Sequence, residues 1–208
     1  MKNDKYWTDY WQKEGQSGEV LVSQDGSKPL CLTQFWQVYF SQLAIDSVIL
    51  DMACGGGSIY QALPNKHQFT LYGADISAQA LSYLTQNISE VKILQCASDQ
   101  VPLESDSIDA IVSQFGVEYS GTSGFKEAVR LLKPEGCFTF ISHYQGGIID
   151  AGNQQQLAGI LLAKELRFID KARALTKVVY NDNQADFDIV FAEFSSVEPK
   201  LHDYTQQC

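Results

Sequence analysis

No stretch of this chain supplies the roughly 18 consecutive apolar residues that a membrane-crossing helix needs. Its first residues, Met1-Lys2-Asn3-Asp4-Lys5, lack the apolar region of a secretory signal. These two absences lead to the expectation of a soluble, cytoplasmic protein with no membrane partner. The five cysteines (Cys31, Cys54, Cys96, Cys137 and Cys208) are odd in number and scattered, and no C-x-x-C pair occurs. Neither a disulfide framework nor a metal site is expected, and the cysteines read as free thiols. Basic residues are few: 15 Lys and Arg stand against 25 Asp and Glu, a formal charge of −10. With no Lys/Arg cluster to neutralise several phosphates at once, the composition argues against nucleic acid as a partner. The acidity reads as a well-solvated surface rather than a site for a cationic substrate.

What the chain does have is enough apolar material for a full core, at 45% hydrophobic residues in 208, with no composition shift that divides it. Its most informative stretch is the apolar run Val48, Ile49, Leu50, which ends in Asp51-Met52-Ala53-Cys54-Gly55-Gly56-Gly57. An apolar run that stops at consecutive glycines reads as a buried strand feeding a tight loop, because glycine admits close backbone approach and positive φ. A nucleotide-like ligand suits such a loop.

Beyond it the pattern alternates: a strand over 69–74, a helix over 77–88, strands over 91–94 and 107–113, a helix over 124–132 and a strand over 137–142. Strands alternating with helices predict a parallel sheet covered on both faces, an α/β fold. Ser77 is a good N-cap for the first of these helices, and Ile76 with Leu81 fits a hydrophobic staple. Lys133-Pro134-Glu135-Gly136 reads as a turn. The segment 1–45 carries Trp7 and Trp11, and Trp36 and Phe40, each pair at i,i+4, and predicts two short aromatic helices outside the sheet. Two readings of them stand, a lid over the ligand or simple packing on the core. Residues 153–179 show Leu157, Ile160, Leu161, Phe168, Ile169, Ala172 and Leu175 along one face, the pattern of one long helix forming a cap. The resulting division is a helical lid or extension over 1–45, a ligand-binding core over 46–145 and a helical cap with a short C-terminal segment over 146–208.

Four features fall at the carboxyl ends of successive predicted strands: Asp51 with its glycine loop, Asp75, Ser98-Asp99, and Ser113-Gln114-Phe115. In an open parallel sheet that edge is where ligands sit. Asp75, about two dozen residues beyond Asp51, is suited to accept from both hydroxyls of a ribose, and Ile76 offers an apolar face to a purine. Asp99 can accept from an exocyclic amine, with backbone near Gln100 reading the ring edge. Each acid also has a plain structural reading as a helix cap or loop residue. The loop lacks the third glycine of G-x-G-x-x-G, since that position is Tyr60, which argues against a dinucleotide enzyme.

Together, Ile49-Leu50-Asp51-Met52-Ala53-Cys54-Gly55-Gly56-Gly57, Gly73-Ala74-Asp75-Ile76-Ser77, Asp99-Gln100-Val101-Pro102-Leu103, 107–113 and Leu131-Leu132-Lys133-Pro134-Glu135-Gly136 resemble the class I S-adenosylmethionine-dependent methyltransferases. The resemblance covers about residues 45–145. It implies a Rossmann-like sheet whose first loop wraps the methionine part of S-adenosylmethionine through backbone around Ala53, Gly55 and Gly57. On that resemblance Asp51 orients the loop and reaches the ammonium through water, Asp75 holds the ribose, Asp99 the adenine amine, and Ser113 with Gln114 lies beside the sulfonium. Ala53 stands where the family usually has its first glycine. S-adenosylhomocysteine is the implied product. For an acceptor that must lose a proton, His143 is the candidate base, and Phe115, Glu118, Tyr119, Tyr144 and Gln145 are candidate substrate contacts. The acceptor is expected to be a small molecule or a protein side chain; a noncatalytic S-adenosylmethionine sensor or scaffold is the alternative. The family's closing antiparallel strands find no convincing counterpart in 180–208, where only 187–194 is an apolar segment. The chain is therefore expected to be a shortened form of a longer protein, or one whose last strands lie elsewhere, with a sheet edge open to an oligomeric partner.

Overall fold

The computed structural model describes residues 4–14, 30–181 and 184–206. They form two compact units, 1–142 and 143–208. The first begins with helices α1 (Asp4–Glu14) and α2 (Leu30–Ser41), both built from the aromatic-rich N-terminal segment. Strands β1 (Val48–Met52), β2 (Thr70–Asp75), β3 (Lys92–Gln95), β4 (Ile108–Gln114) and β5 (Leu132–Ile141) follow, with α3 (Ala78–Asn87) between β2 and β3 and α4 (Gly121–Leu131) between β4 and β5. The sheet order is β3-β2-β1-β4-β5 and every pairing is parallel. All carboxyl ends therefore lie along one edge, and the strand order reverses at β1, which has β2 on one side and β4 on the other.

Alternation along the strands separates two cores. Ile49, Leu71, Ala110 and Val112 pack with Trp36 and Phe40 of α2 and Leu81 and Leu84 of α3. Leu50, Met52, Ala74 and Ile111 pack with Ala128 and Leu131 of α4. Successive side chains of a strand point to opposite faces, so one apolar run serves both layers. At the amino ends, Asp109 of β4 accepts from the Val48 amide at 2.8 Å and from Lys133 Nζ at 2.9 Å, joining three strands. Burial alone would raise the Asp109 pKa, but these two donors outweigh it and hold it below the usual carboxylate range.

Ser77 caps α3, its hydroxyl accepting from the Ala80 amide at 3.3 Å, as its position predicts. The 133–136 turn is real but lies inside β5. Pairing passes from Ile108↔Leu132 to Ala110↔Cys137, so the extra residues on β5 are carried as an irregularity around Glu135, whose φ is 69°.

The second unit is helical: α5 (Ile148–Glu165), α6 (Phe168–Tyr180), α7 (Gln184–Ser195) and α8 (Glu198–Gln206). The single long helix expected over 153–179 is instead two, parted at Leu166-Arg167. Arg167 takes a left-handed φ of 53°, and its guanidinium pairs with Asp170 at 3.2 Å. No glycine or proline marks the break; the chain folds back so that Phe168 of α6 meets Phe194 of α7, ring centroids 5.5 Å apart. The apolar segment 187–194 lies in α7. Leu157, Ile160 and Leu161 of α5 stay more than half exposed. Among the described residues the sheet has five strands, and no helix is long and apolar enough to cross a membrane.

Candidate active site

The glycine loop leaves β1 in a backbone that few side chains tolerate. Ala53 (φ 57°), Gly55 (φ 52°) and Gly57 (φ 84°) are all left-handed, and the bend is closed by Gly57 N–H donating to Cys54 C=O at 2.9 Å. Glycine supplies that conformation without a Cβ clash at two of the three positions; Ala53 bears it as a non-glycine residue. Beside it, Phe115 at the end of β4 is also left-handed (φ 55°), and Gly116 lies so close to Ala53 that an added Cβ would overlap it. Strained backbone gathered at one sheet edge is a mark of a site the surrounding structure holds in place.

Two buried carboxylates stand at that edge on neighbouring strands. Asp51, one residue before the end of β1, is 1% exposed, and neither of its oxygens has a hydrogen-bond partner. Burial, and then the nearby Asp75, push its pKa well above the usual range. Asp75 is differently placed. Its Oδ1 accepts from the Ser77 amide at 2.8 Å and its Oδ2 from the Gly55 amide at 2.9 Å. Burial raises its pKa while these amides pull it down, with a net rise. Of the pair, Asp75 is thus the one whose charge the backbone amides support, while Asp51 has no donor to stabilise its charged form. Asp75 also ties the glycine loop to the start of α3, a role its position alone did not reveal.

Asp75 pairs with Gln95, so the chain leaving β3 starts beside it and continues through Ser98, Asp99 and Gln100. Asp99 is half-buried, and its Oδ1 has no partner. The following segment is clamped by α4: Glu127 accepts from the Val101 amide at 2.8 Å, while Arg130 reaches the carbonyls of Val101 and Leu103 and pairs with Glu127. Ile76 lies half-buried between Asp75 and Ser77.

At the end of β4, Ser113 is fully buried; its hydroxyl donates to Met52 C=O at 2.6 Å and accepts from the Val117 amide at 3.2 Å. It latches β1 to the turn after β4. Gln114 is held by two partners, accepting from Trp36 Nε1 at 2.7 Å and donating to Ser58 Oγ at 3.3 Å. Phe115 donates its amide to Ile141 C=O at 2.7 Å. Tyr119 is mostly exposed and meets Trp7 of α1 edge to face, centroids 5.1 Å apart. His143 and Tyr144 open the second unit, where Tyr144 is exposed and its carbonyl accepts from the Gly147 amide.

For several residues here the sequence carried no signal of the partner they meet. Trp11 of α1 packs on Gly55, where an added Cβ would strike its indole, and Gly73 lets Leu84 and Cys54 close on β2. Trp36 reaches Gln114 across 78 residues of chain. Of the N-terminal aromatics, Trp36 and Phe40 are core residues at 1% exposure, while Trp11 covers the loop.

The core of this architecture matches known proteins. Residues 50–140 match the family described as Methyltransferase domain. The chain is 25% identical over 127 residues to the ubiquinone/menaquinone biosynthesis C-methyltransferase UbiE of Campylobacter jejuni, covering 56% of this chain and 54% of that protein. It is 34% identical over 104 residues to YqeM of Bacillus subtilis, covering 46% of this chain and 42% of the other. The chain thus spans about half the length of the curated relatives it matches. Among solved structures, a chain from the Haloferax volcanii complex of the Trm112 methyltransferase activator with a methyltransferase superposes with a TM-score of 0.52 at 20% identity, covering 60% of this chain and 57% of that one. That likeness is one of fold.

Proposed function

We propose, from a chain whose residues 50–140 match the family described as Methyltransferase domain, that the protein is a class I S-adenosylmethionine-dependent methyltransferase that transfers a methyl group from S-adenosylmethionine to a small-molecule or protein side-chain acceptor. The observation that carries this reading is Asp51, a fully buried carboxylate with two unpartnered oxygens beside a left-handed glycine loop. A charge placed there without a partner is costly, and a bound cation removes the cost. The ammonium of the methionine moiety is such a cation. Asp99, whose buried Oδ1 likewise has no partner, suits the adenine amine. Asp75 accepts from the amides of Ser77, Gly55 and Ile76, and its remaining acceptor capacity suits a ribose hydroxyl.

Bound S-adenosylmethionine supplies a methyl already activated on a sulfonium, so the residues around it have mainly to align, shield and neutralise. The loop from Ala53 to Gly57 presents backbone to the methionine part. Ser113 and Gln114 set the end of β4 against that loop, and Phe115 and Tyr119 begin the acceptor side. We read α1 as a lid, since Trp11 lies on Gly55 and Trp7 on Tyr119. His143, two residues beyond β5 in sequence, is the proposed base for an acceptor that must lose a proton.

The test is titration calorimetry with S-adenosylmethionine and S-adenosylhomocysteine. Wild-type protein is expected to bind both, and Asp75→Ala to lose about 2 kcal/mol of affinity, the scale of charge-assisted hydrogen bonds. Absence of binding to the wild type would end the proposal. Binding without turnover on a broad acceptor panel would convert it to a sensor.

A further inference from the structure

Gln114 stands where the end of β4 meets the residue after the glycine triplet, and its side chain has both a donor and an acceptor edge. Which edge faces a ligand is decided from outside the site. Trp36 of α2 is 1% exposed, belongs to the core on the α2/α3 face, and sends its one polar group to Gln114 Oε1 at 2.7 Å. An indole N–H can only donate, so the amide oxygen must face Trp36 and the amide nitrogen must face Ser58, 3.3 Å away. Turning the amide over would set N–H against N–H at a buried indole and leave that indole unsatisfied, a penalty larger than the net worth of the bond itself.

We propose that Trp36 is a positioning residue for the cofactor site, locking the Gln114 amide so that Gln114 and Ser58 meet the ligand as donors and receive its amino-acid carboxylate. One N–H of Gln114 and the hydroxyl proton of Ser58 are not used in the Trp36–Gln114–Ser58 chain, and a carboxylate takes both. Asp51 on β1 then has the ammonium, so the two ends of the zwitterion are read by groups of opposite character on adjacent strands. The proposal rests on the S-adenosylmethionine reading above and extends it to a residue of α2 that touches no ligand.

The experiment compares two ligands on the full chain by calorimetry: S-adenosylhomocysteine, which has the amino-acid end, and 5′-methylthioadenosine, which does not. Trp36→Phe keeps the ring in the core and removes only the N–H. It is expected to weaken S-adenosylhomocysteine about tenfold and to leave 5′-methylthioadenosine unchanged. Gln114→Glu still accepts from Trp36 but offers the ligand carboxylate a like charge, and is expected to weaken S-adenosylhomocysteine further, again sparing the truncated nucleoside. Equal weakening of both ligands by Trp36→Phe would mean a general disturbance of the fold and overturn the assignment, as would no change in either. Failure of the wild type to bind either nucleoside would overturn the cofactor reading itself, and this assignment with it.

Discussion

On the proposed reading, Asp51 sets stability against cofactor binding in one side chain. Its folded pKa is raised by burial and by Asp75, so the unfolded chain ionises first as the pH climbs. The stability contributed by its neutral form is therefore fully present below the ordinary carboxylate range and is lost as the pH rises through the raised folded value; Asp75, shifted the same way, adds to the trend. Asp51→Asn is expected to flatten this decline and to stabilise the ligand-free protein at pH 7 by on the order of 1 kcal/mol, while weakening S-adenosylmethionine. Chemical denaturation between pH 4 and pH 8, with and without ligand, reads both effects. A variant less stable than wild type at pH 7, or unchanged in affinity, would remove Asp51 from its assigned part.

At the scale of elements, what positions the site is close approach between the glycine loop, β2 and α3. Gly73 sits in the middle of β2, where a Cβ would meet Leu84 Cδ2 at 2.5 Å and Cys54 Sγ at 3.2 Å. Gly73→Ala is expected to destabilise the protein by about 1–3 kcal/mol through overpacking and to weaken cofactor binding, because the displaced Cys54 belongs to the loop. Thermal unfolding and calorimetry on the same variant check both. The elements of the sheet were largely readable from sequence: the apolar runs at 48–50, 69–74 and 107–113 and the Ser77 cap are local signals, and the strands and α3 follow them. The helix break at Leu166-Arg167 was not readable, because 153–179 keeps its helical period through residues with no breaker; the docking of Phe168 on Phe194 decides it. The 133–136 turn was legible as a turn, but its absorption into β5 depends on pairing with β4.

For the molecule as a whole, the two units offer separable signals. All three tryptophans, Trp7, Trp11 and Trp36, lie in the unit 1–142, whereas the unit 143–208 is helical and has none. Tryptophan fluorescence is expected to follow unfolding of the first unit alone, and far-UV circular dichroism to follow both. S-adenosylhomocysteine is expected to raise the fluorescence-detected midpoint by mass action; a ligand shift seen by circular dichroism and absent from fluorescence would place binding elsewhere. By itself the sequence determined the α/β class and the placing of Asp51 and Asp75 at the carboxyl ends of their strands, since apolar period, glycine runs and caps act over a few residues at a time. Only the tertiary structure decided that Asp75 supports Gly55, that Asp51 is left without a partner, that Trp11 covers the loop and that Trp36 orients Gln114. Each of those depends on which atoms meet after distant segments pack, and hydrogen-bond satisfaction is a property of the packed neighbourhood rather than of any one stretch of chain.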